Sequence, residues 1–368
     1  MSEPWVKLFR PASVGMEGIR IPMRLLRRNG QPFLLLPVDS KFAARSLDLY
    51  APQTVKARMA KALLRMSLGL GFSAGLETTS LNIHPSDTFT KYISQLLGVA
   101  KNTLPAFALL AGNPRTAGQR SILLLFDSGG NPVCVVKAGS DAEAFRLIER
   151  EETFLKSAPS KMRGVPAVRS AFRSESVQAI TMDFYSGKSP RPSDWEAAEN
   201  PLSSWVAEDH KLNIAELPMW QRFETSVLVL PPPIKELGAA SVFPTIYHGD
   251  FAPWNIKEHE NSWILLDWER GEMVGVPLWD WLHYIVQPAV LVERCASETL
   301  ISRIENWLQS PPVTRYSELC GITGLRRALA AAYFQYCIHV IRPSEGLSEL
   351  RELGDALMRR WFPGEIAL

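Results

Sequence analysis

A segment in the C-terminal half of the chain carries the residue types best suited to chemistry. Asp250 and Asn255 lie five residues apart in a loop that contains Gly249 and Pro253. A polar turn and an apolar run that ends at Asp267 follow, and this pattern is typical of a β-hairpin that returns beside Asn255. One amide oxygen and one carboxylate at a common point suit Mg²⁺, which binds few protein oxygens. Asp250 is then left to receive the proton of an attacking hydroxyl.

These residues resemble the catalytic segment of the aminoglycoside phosphotransferase and choline kinase-like family of small-molecule kinases. The family pattern is H-x-D-x-x-x-x-N, followed by a hairpin that ends in an apolar run and Asp. The chain matches this pattern at four positions, namely His248, Asp250, Asn255 and Asp267. The resemblance implies that Asp250 is the catalytic base, that Asn255 and Asp267 bind Mg²⁺, and that ATP is the phosphoryl donor. It also implies that His248 braces the loop and that Asp280, in the next helix, supports it.

An apolar strand that ends in a lysine is an independent upstream feature. Lys137 ends the run that begins at Val133, and an ammonium group in such a place is costly unless it has a partner. The next helix offers Glu149, Glu151 and Glu152. In the family, such a lysine contacts the α- and β-phosphates and pairs with a helix glutamate about four residues before a leucine. This pattern selects Glu151 and leaves Glu152 as a close second.

Two further segments are assigned to nucleotide binding by their position in this pattern. A polar loop between the first two predicted strands contains Gly112 and Gly118, and its backbone N–H groups would face the phosphates. This loop lacks a complete G-x-G-x-x-G motif. The resemblance also places an inter-lobe hinge at residues 182–185, where the backbone of Asp183 and of Tyr185 would contact adenine.

The resemblance implies an α+β chain of the two-lobed, protein-kinase-like fold, with ATP bound between the lobes. The small lobe is an antiparallel sheet, and the large lobe is mainly helical. The periodicity predicts strands at 104–111, 122–126, 133–137, 167–172 and 178–184, and helices at 52–68, 86–100 and 141–157. We therefore expect a nucleotide-binding lobe over 101–186, a catalytic lobe over 187–368, and an N-terminal extension of uncertain structure over 1–100.

The short connection after the hairpin favours a small acceptor. Only about a dozen residues separate Asp267 from Asp280, and they contain no A-P-E sequence. Protein kinases carry a long activation segment at this place. The expected activity is therefore transfer of the γ-phosphoryl group of ATP to a hydroxyl of a sugar, amino sugar, aminoglycoside or amino alcohol. A catalytically silent, kinase-like nucleotide-binding module is the alternative.

A second motif, G-x-S-x-G, begins at Gly71 and has Ser73 at its centre. It matches the nucleophile elbow of α/β-hydrolases, which needs a strand before it and a helix after it. Here a helical pattern of apolar residues precedes the motif, and no helical period follows it. A serine hydrolase that acts through Ser73 is therefore only a remote alternative.

Charge and composition limit the partners. Hydrophobic residues make up 46% of the 368 residues and charged residues 21%, with a net charge of +2. Residues 1–70 hold twelve Lys or Arg against four Asp or Glu. This basic segment could bind an acidic partner weakly, although a solvated basic face is the favoured interpretation. No nucleic acid partner is expected.

Apolar stretches and cysteines in the sequence indicate where the protein is located. The most apolar stretches are shorter than the roughly 20 uninterrupted apolar residues that a membrane span needs, so no span is expected. The first residues lack the pattern of a signal peptide. The four cysteines form no C-x-x-C pair, which favours reduced thiols in a cytoplasmic protein.

Overall fold

The structure, a computed structural model, describes residues 5–13, 17–73, 75–99, 104–112, 118–343 and 346–364. The chain divides into two compact units. The first contains the described residues up to Lys156 and Pro166–Ser186, and the second contains Ser157–Val165 and the described residues from Gly187 onward. Strands dominate the first unit and helices the second. The predicted α+β fold, with an antiparallel-sheet unit and a mainly helical unit, is therefore confirmed.

In the described part of the first unit, the strands form one antiparallel sheet. Its eight strands are β1 (Ile19–Arg28), β2 (Gln31–Pro37), β3 (Glu77–Ile83), β4 (Phe107–Leu110), β5 (Arg120–Phe126), β6 (Pro132–Gly139), β7 (Val168–Arg173) and β8 (Gln178–Asp183). Their order is β3-β1-β2-β4-β5-β6-β8-β7. Strands β4 to β8 lie where the sequence predicts strands. The first three strands come from residues 1–100, and β2 joins them to the others by pairing Leu34 with Leu110.

Helices cover both faces of this sheet. They are α1 (Ser40–Ser46), α2 (Val55–Gly69), α3 (Thr88–Leu96) and α4 (Ala142–Ser157). The middle of β2 shows the two faces, because Leu34, Leu35 and Leu36 are all fully buried. Leu35 belongs to the cluster that includes α3, whereas its two neighbours pack with residues of α1 and α2. Successive side chains of a strand point to opposite faces, so the sheet is buried on both sides.

The second unit consists mainly of helices. They are α5 (Glu199–Ser204), α6 (Pro218–Ser226), α7 (Pro232–Lys235), α8 (Trp279–Pro288), α9 (Ser297–Leu308), α10 (Pro311–Cys320), α11 (Arg326–Tyr336) and α12 (Leu347–Trp361). Short strands form three antiparallel pairs: β9 (Leu212–Asn213) with β10 (Ser241–Val242), β11 (Thr245–Tyr247) with β14 (Glu272–Gly275), and β12 (Ile256–His259) with β13 (Ser262–Leu265). The last pair is the predicted hairpin.

Aromatic side chains fill the core of the second unit. Trp205, Trp220, Trp268, Trp279 and Trp281 are each at most 2% exposed. Their rings contact one another in pairs, for example Trp205 with Trp268 and Trp220 with Trp279. These tryptophans therefore serve packing. Burying several large rings stabilises the elements that carry the loop between β11 and β12.

Two further sequence expectations concern membrane spans and cysteines. Within the described ranges, no helix combines the length and the apolar character needed to cross a membrane. All four cysteines are free thiols, and Cys134, Cys320 and Cys337 are buried.

Candidate active site

One buried carboxylate shapes the loop that follows β11. Asp280 lies in the first turn of α8. It accepts hydrogen bonds from the backbone N–H of His248 at 2.6 Å and from that of Gly249 at 3.0 Å. Gly249 has a φ of +81°, and a Cβ there would lie 2.7 Å from the Cβ of Arg270, so the position requires glycine. These contacts fix the direction in which the chain reaches Asp250.

The environment of Asp280 fits a supporting role. Burial raises its pKa to about 7, while the two backbone N–H donors act in the opposite direction. A carboxyl group in such a place is costly unless its oxygens are hydrogen-bonded. Asp280 therefore belongs to the frame of the loop.

His248 ties the loop to the end of the hairpin. Its Nδ1 accepts from the backbone N–H of Asp250 at 3.2 Å, and its Nε2 lies 3.0 Å from the carbonyl oxygen of Leu266. A neutral imidazole that accepts at Nδ1 must donate at Nε2. Burial lowers the pKa of His248 to about 4, in keeping with the neutral form. The ring also packs on the indole of Trp268, with centroids 4.4 Å apart.

The carboxylate of Asp250 is oriented from two sides. Asn255 Nδ2 donates to Asp250 Oδ2 at 2.8 Å and to the Asp250 carbonyl at 2.9 Å. His283 Nε2 lies 3.1 Å from Asp250 Oδ1, and 33% of the Asp250 side chain remains exposed. Burial opposes ionisation, but the hydrogen bond and charge of His283, followed by the charge of Arg270, outweigh it and lower the pKa of Asp250 to about 2. Asp250 is therefore an ionised, oriented and accessible carboxylate.

His283 is a site residue that the sequence interpretation did not assign to the site. It is 3% exposed, and its Nδ1 lies 3.0 Å from the hydroxyl of Tyr333. When a proton is on Nε2 alone, Nε2–H donates to Asp250 and Nδ1 accepts from the Tyr333 hydroxyl, and a proton on both nitrogens keeps the contact with Asp250. The available signal was spacing, because His283 follows Asp280 by one helical turn and so shares its face.

The predicted metal ligands lie at the open end of the hairpin. The N–H of Leu266 donates to the carbonyl of Asn255 at 2.7 Å, beside the pair formed by Ile256 and Leu265. Asp267 follows with a φ of +72°, a left-handed conformation that Asp tolerates better than most residues and that often marks a functional site.

The donor set fits Mg²⁺ in kind. Because Asn255 Nδ2 is engaged by Asp250, its Oδ1 is the amide atom suited to a cation. Asp267 would add a carboxylate, and hard oxygen donors are what Mg²⁺ prefers. Among the described residues, no group of three or more His, Cys, Asp or Glu could hold a metal ion. A site of one amide and one carboxylate therefore relies on further oxygens from water and phosphate.

In the first unit, Lys137 pairs with Glu151. Lys137 Nζ donates to Glu151 Oε2 at 2.5 Å, and the two side chains are 8% and 1% exposed. The neighbouring Glu152 instead accepts from Lys156 at 2.6 Å and from Arg173 at 2.6 Å. The geometry thus distinguishes the two glutamates that the sequence left close together.

The buried ion pair leads to a stability prediction. Replacing Lys137 by Met should lower the free energy of unfolding by about 3 to 5 kcal/mol, because it leaves the charge of Glu151 buried without its ammonium partner. The matched control is Lys156→Met. Lys156 is a partner of Glu152, but its side chain is 60% exposed, so this change should lower the free energy of unfolding by no more than about 1 kcal/mol. Urea unfolding of both variants measures the difference, and equal losses would contradict the prediction.

The glycines predicted to bind phosphate lie at the two ends of their loop. A Cβ at Gly112 would lie 2.1 Å from the carbonyl oxygen of Arg120, and one at Gly118, where φ is +69°, would lie 2.8 Å from the Cγ of Glu143. Both positions therefore require glycine because backbone and helix α4 pack closely. The residues between them, 113–117, lie outside the described part of the chain.

The predicted hinge residues continue from β8. The N–H of Phe184 donates to the carbonyl of Val133 at 3.1 Å, which extends the pairing with β6 by one residue. The Asp183 carboxylate forms an ion pair with Arg169. Burial raises the pKa of Tyr185, and the backbone of Ala167 opposes this through a hydrogen bond.

The G-x-S-x-G segment has the wrong context for a nucleophile elbow. Helix α2 ends just before it and strand β3 begins just after it, the reverse of the strand–turn–helix that the elbow requires. Its central Ser73 thus lacks the setting that would make it a nucleophile.

Comparisons with known proteins found similar chains among solved structures. No family model and no curated protein matches this chain. Among solved structures, it is similar to a thermostable aminoglycoside phosphotransferase APH(4)-Ia in complex with ADP and hygromycin B (TM-score 0.43, 14% identity, 73% of this chain and 97% of that one). It is also similar to a putative fructosamine-3-kinase from Haemophilus somnus (0.41, 10%, 73% and 96%). A third is the ADP-bound aminoglycoside phosphotransferase APH(2'')-Ib (0.38, 11%, 73% and 95%). Each of these likenesses concerns the fold.

Proposed function

We propose that this chain is a kinase that transfers the γ-phosphoryl group of ATP to a hydroxyl of a small molecule. The observation that carries the proposal is the state of Asp250. Its carboxylate is ionised, is held by Asn255 and His283, and is one-third exposed. Such a group can orient an attacking hydroxyl and accept its proton as the bond to phosphorus forms.

The hydrogen bonds to Asp250 leave capacity for a substrate. Each carboxylate oxygen has two lone pairs, and Asn255 and His283 engage one on Oδ2 and one on Oδ1. A hydroxyl can therefore still donate to either oxygen. Because the low pKa of Asp250 makes it a weak base, its main contribution would be to position the hydroxyl.

Asn255 and Asp267 are the proposed ligands of Mg²⁺. The ion would neutralise charge on the phosphates during transfer. The backbone bond between Leu266 and Asn255, at 2.7 Å, keeps the two ligand-bearing segments together before any ligand binds. Such preorganisation is the chief way in which phosphoryl transfer is accelerated.

In the first unit, we assign nucleotide contact to Lys137, with Glu151 as its positioning partner. The pair is buried and close, at 2.5 Å, so the ammonium group is kept in one place. Gly112, Gly118, Asp183 and Tyr185 stay proposed nucleotide contacts, by backbone groups rather than side chains. The twelve-residue connection from Asp267 to Asp280, which contains strand β14, supports a small acceptor.

An acceptor screen tests the proposal. ADP release from Mg-ATP is measured with the full chain against sugars, amino sugars, aminoglycosides and amino alcohols. One class should raise ADP release well above the rate with water alone, and EDTA should abolish the increase. Nucleotide binding without turnover on any acceptor would favour the silent module. The absence of any thermal shift with Mg-ATP would contradict both.

The role of His283 can be tested separately. His283→Leu should lower kcat by about ten- to a hundredfold with little change in KM for ATP, because Asp250 loses a positioning donor. His283→Gln, which keeps an N–H donor, should recover part of the rate. If both variants lost activity only to the extent that they lost folded protein, His283 would serve only packing.

A further inference from the structure

The outward face of α2, together with Leu70 and Phe72 just after its end, carries an apolar stripe that no residue of the described part of the chain covers. Its members, with their exposed fractions, are Val55 (66%), Met59 (62%), Leu63 (62%), Met66 (60%), Leu70 (69%) and Phe72 (64%). They make up six of the nine large apolar residues that are exposed in the described part of the chain. Steps of three and four residues place the first five on one side of a helix. Isolated exposed apolar residues need no explanation, but a continuous stripe marks an interaction surface.

The opposite face of α2 is firmly attached to the first unit. Leu64 and Leu68 pack in the cluster that includes α1 and β2. Lys61 Nζ donates to the carbonyl of Tyr50 at 2.7 Å, and Arg65 forms an ion pair with Asp48. The side chain of Thr54 caps the N-terminus of the helix. Since these contacts fix the rotation of the helix, the apolar stripe faces outward in the folded protein.

Positive charge borders the stripe on both sides. At 3.6 residues per turn, Lys56 and Arg58 flank the row that starts at Val55, and both are exposed. The chain contains no Asp or Glu between Asp48 and Glu77. The surface is therefore apolar along its crest and cationic along its edges.

We propose that the α2 surface, defined as the stripe with Lys56 and Arg58, docks onto an anionic lipid surface. A helix of this kind lies in the interface, with its apolar side chains among the acyl chains and its cations among the headgroups. A second copy of this chain fits less well, because pairing two α2 helices would bring Lys56 and Arg58 close to the same cations of the second copy, with no Asp or Glu on the helix to offset them. The protein would lie on the membrane without spanning it.

Vesicle co-sedimentation of the full chain tests the proposal. Wild type should bind vesicles of phosphatidylcholine with about 30 mol% phosphatidylserine, and much less those of phosphatidylcholine alone. Leu63→Ser with Met66→Ser should reduce binding by about tenfold or more. Lys56→Gln with Arg58→Gln should weaken binding to the anionic vesicles. All four residues are exposed, so unchanged melting temperatures are expected.

A matched control removes exposed apolar residues elsewhere. Leu228 and Val229 are 104% and 80% exposed and lie in the second unit. Leu228→Ser with Val229→Ser should leave vesicle binding unchanged. Equal loss in this control, or wild-type binding by the α2 variants, would overturn the proposal. Failure of the wild-type protein to bind anionic vesicles would also overturn the proposal. In that case the α2 surface would instead bind an acidic protein or a second copy of the chain, and analytical ultracentrifugation would detect the dimer.

Discussion

Replacing Asp250 by Asn is expected to lower the rate constant of phosphoryl transfer by about a hundred- to ten-thousandfold. The change keeps the size of the side chain but removes the charge that would accept the hydroxyl proton. Single-turnover kinetics with the acceptor found by screening measures the effect. The dissociation constant of Mg-ATP should stay within about threefold of wild type, because Asp250 is not assigned to nucleotide binding.

The pair of measurements separates catalysis from folding. Asp250 accepts from Asn255 and His283, so a thermal melt of Asp250→Asn checks that the loop remains intact. A folded variant that binds Mg-ATP and still transfers at more than about a tenth of the wild-type rate would contradict the role of Asp250 as base.

The second large effect is expected at Asp267. Asp267→Asn should reduce transfer at about 1 mM Mg²⁺ by about a hundredfold or more, because the ion loses its charged protein ligand. Asn suits the test because it tolerates the left-handed φ of +72° found at this position. A titration of the rate with Mg²⁺ should show partial recovery at higher concentrations, since the ligand is weakened rather than removed.

The hairpin supplies a matched control for Asp267. Glu260 lies in the turn between β12 and β13, also at positive φ, and its side chain is 86% exposed. Glu260→Gln removes the same charge from the same hairpin and should leave the Mg²⁺ dependence unchanged. If both variants shifted that dependence equally, the effect would come from general charge rather than from metal binding.

The sequence predicted the local elements of the site best. The loop around Asp250 and the hairpin are encoded within about twenty consecutive residues, and turn residues and apolar runs mark them clearly. Asp280 lies only thirty residues beyond Asp250, and the family pattern pointed to it. The structure brings His248, Asp250, Asn255 and Asp280 together through direct hydrogen bonds.

What the sequence missed depends on distant contacts. Strand β1 pairs with β3, more than fifty residues later, although its alternating apolar residues from Ile19 to Leu25 were a local strand signal that the sequence interpretation did not use. His283 contacts Asp250 only after α8 has packed beside the loop, and its other partner, Tyr333, comes fifty residues later. The contacts of His283 leave no periodic signal in the sequence.

Adjacent helix residues posed a different problem. Glu151 and Glu152 are both buried, but neighbouring side chains on a helix point about 100° apart. One faces Lys137 on β6, and the other faces Arg173 on β7. Only the packing of α4 on the sheet decides which glutamate meets the lysine. Packing also decides the place of Trp268, whose ring is fully buried against that of His248.

Phosphorus NMR of a reaction mixture tests the central claim most directly. With Mg-ATP and the acceptor selected by screening, the γ-phosphate resonance of ATP should decline while those of ADP and a phosphomonoester of the acceptor grow in equal amounts. Asp250→Asn protein should leave the ATP signals unchanged over the same period. Formation of inorganic phosphate without any phosphomonoester, or an equal product yield from the variant, would contradict a kinase that works through Asp250.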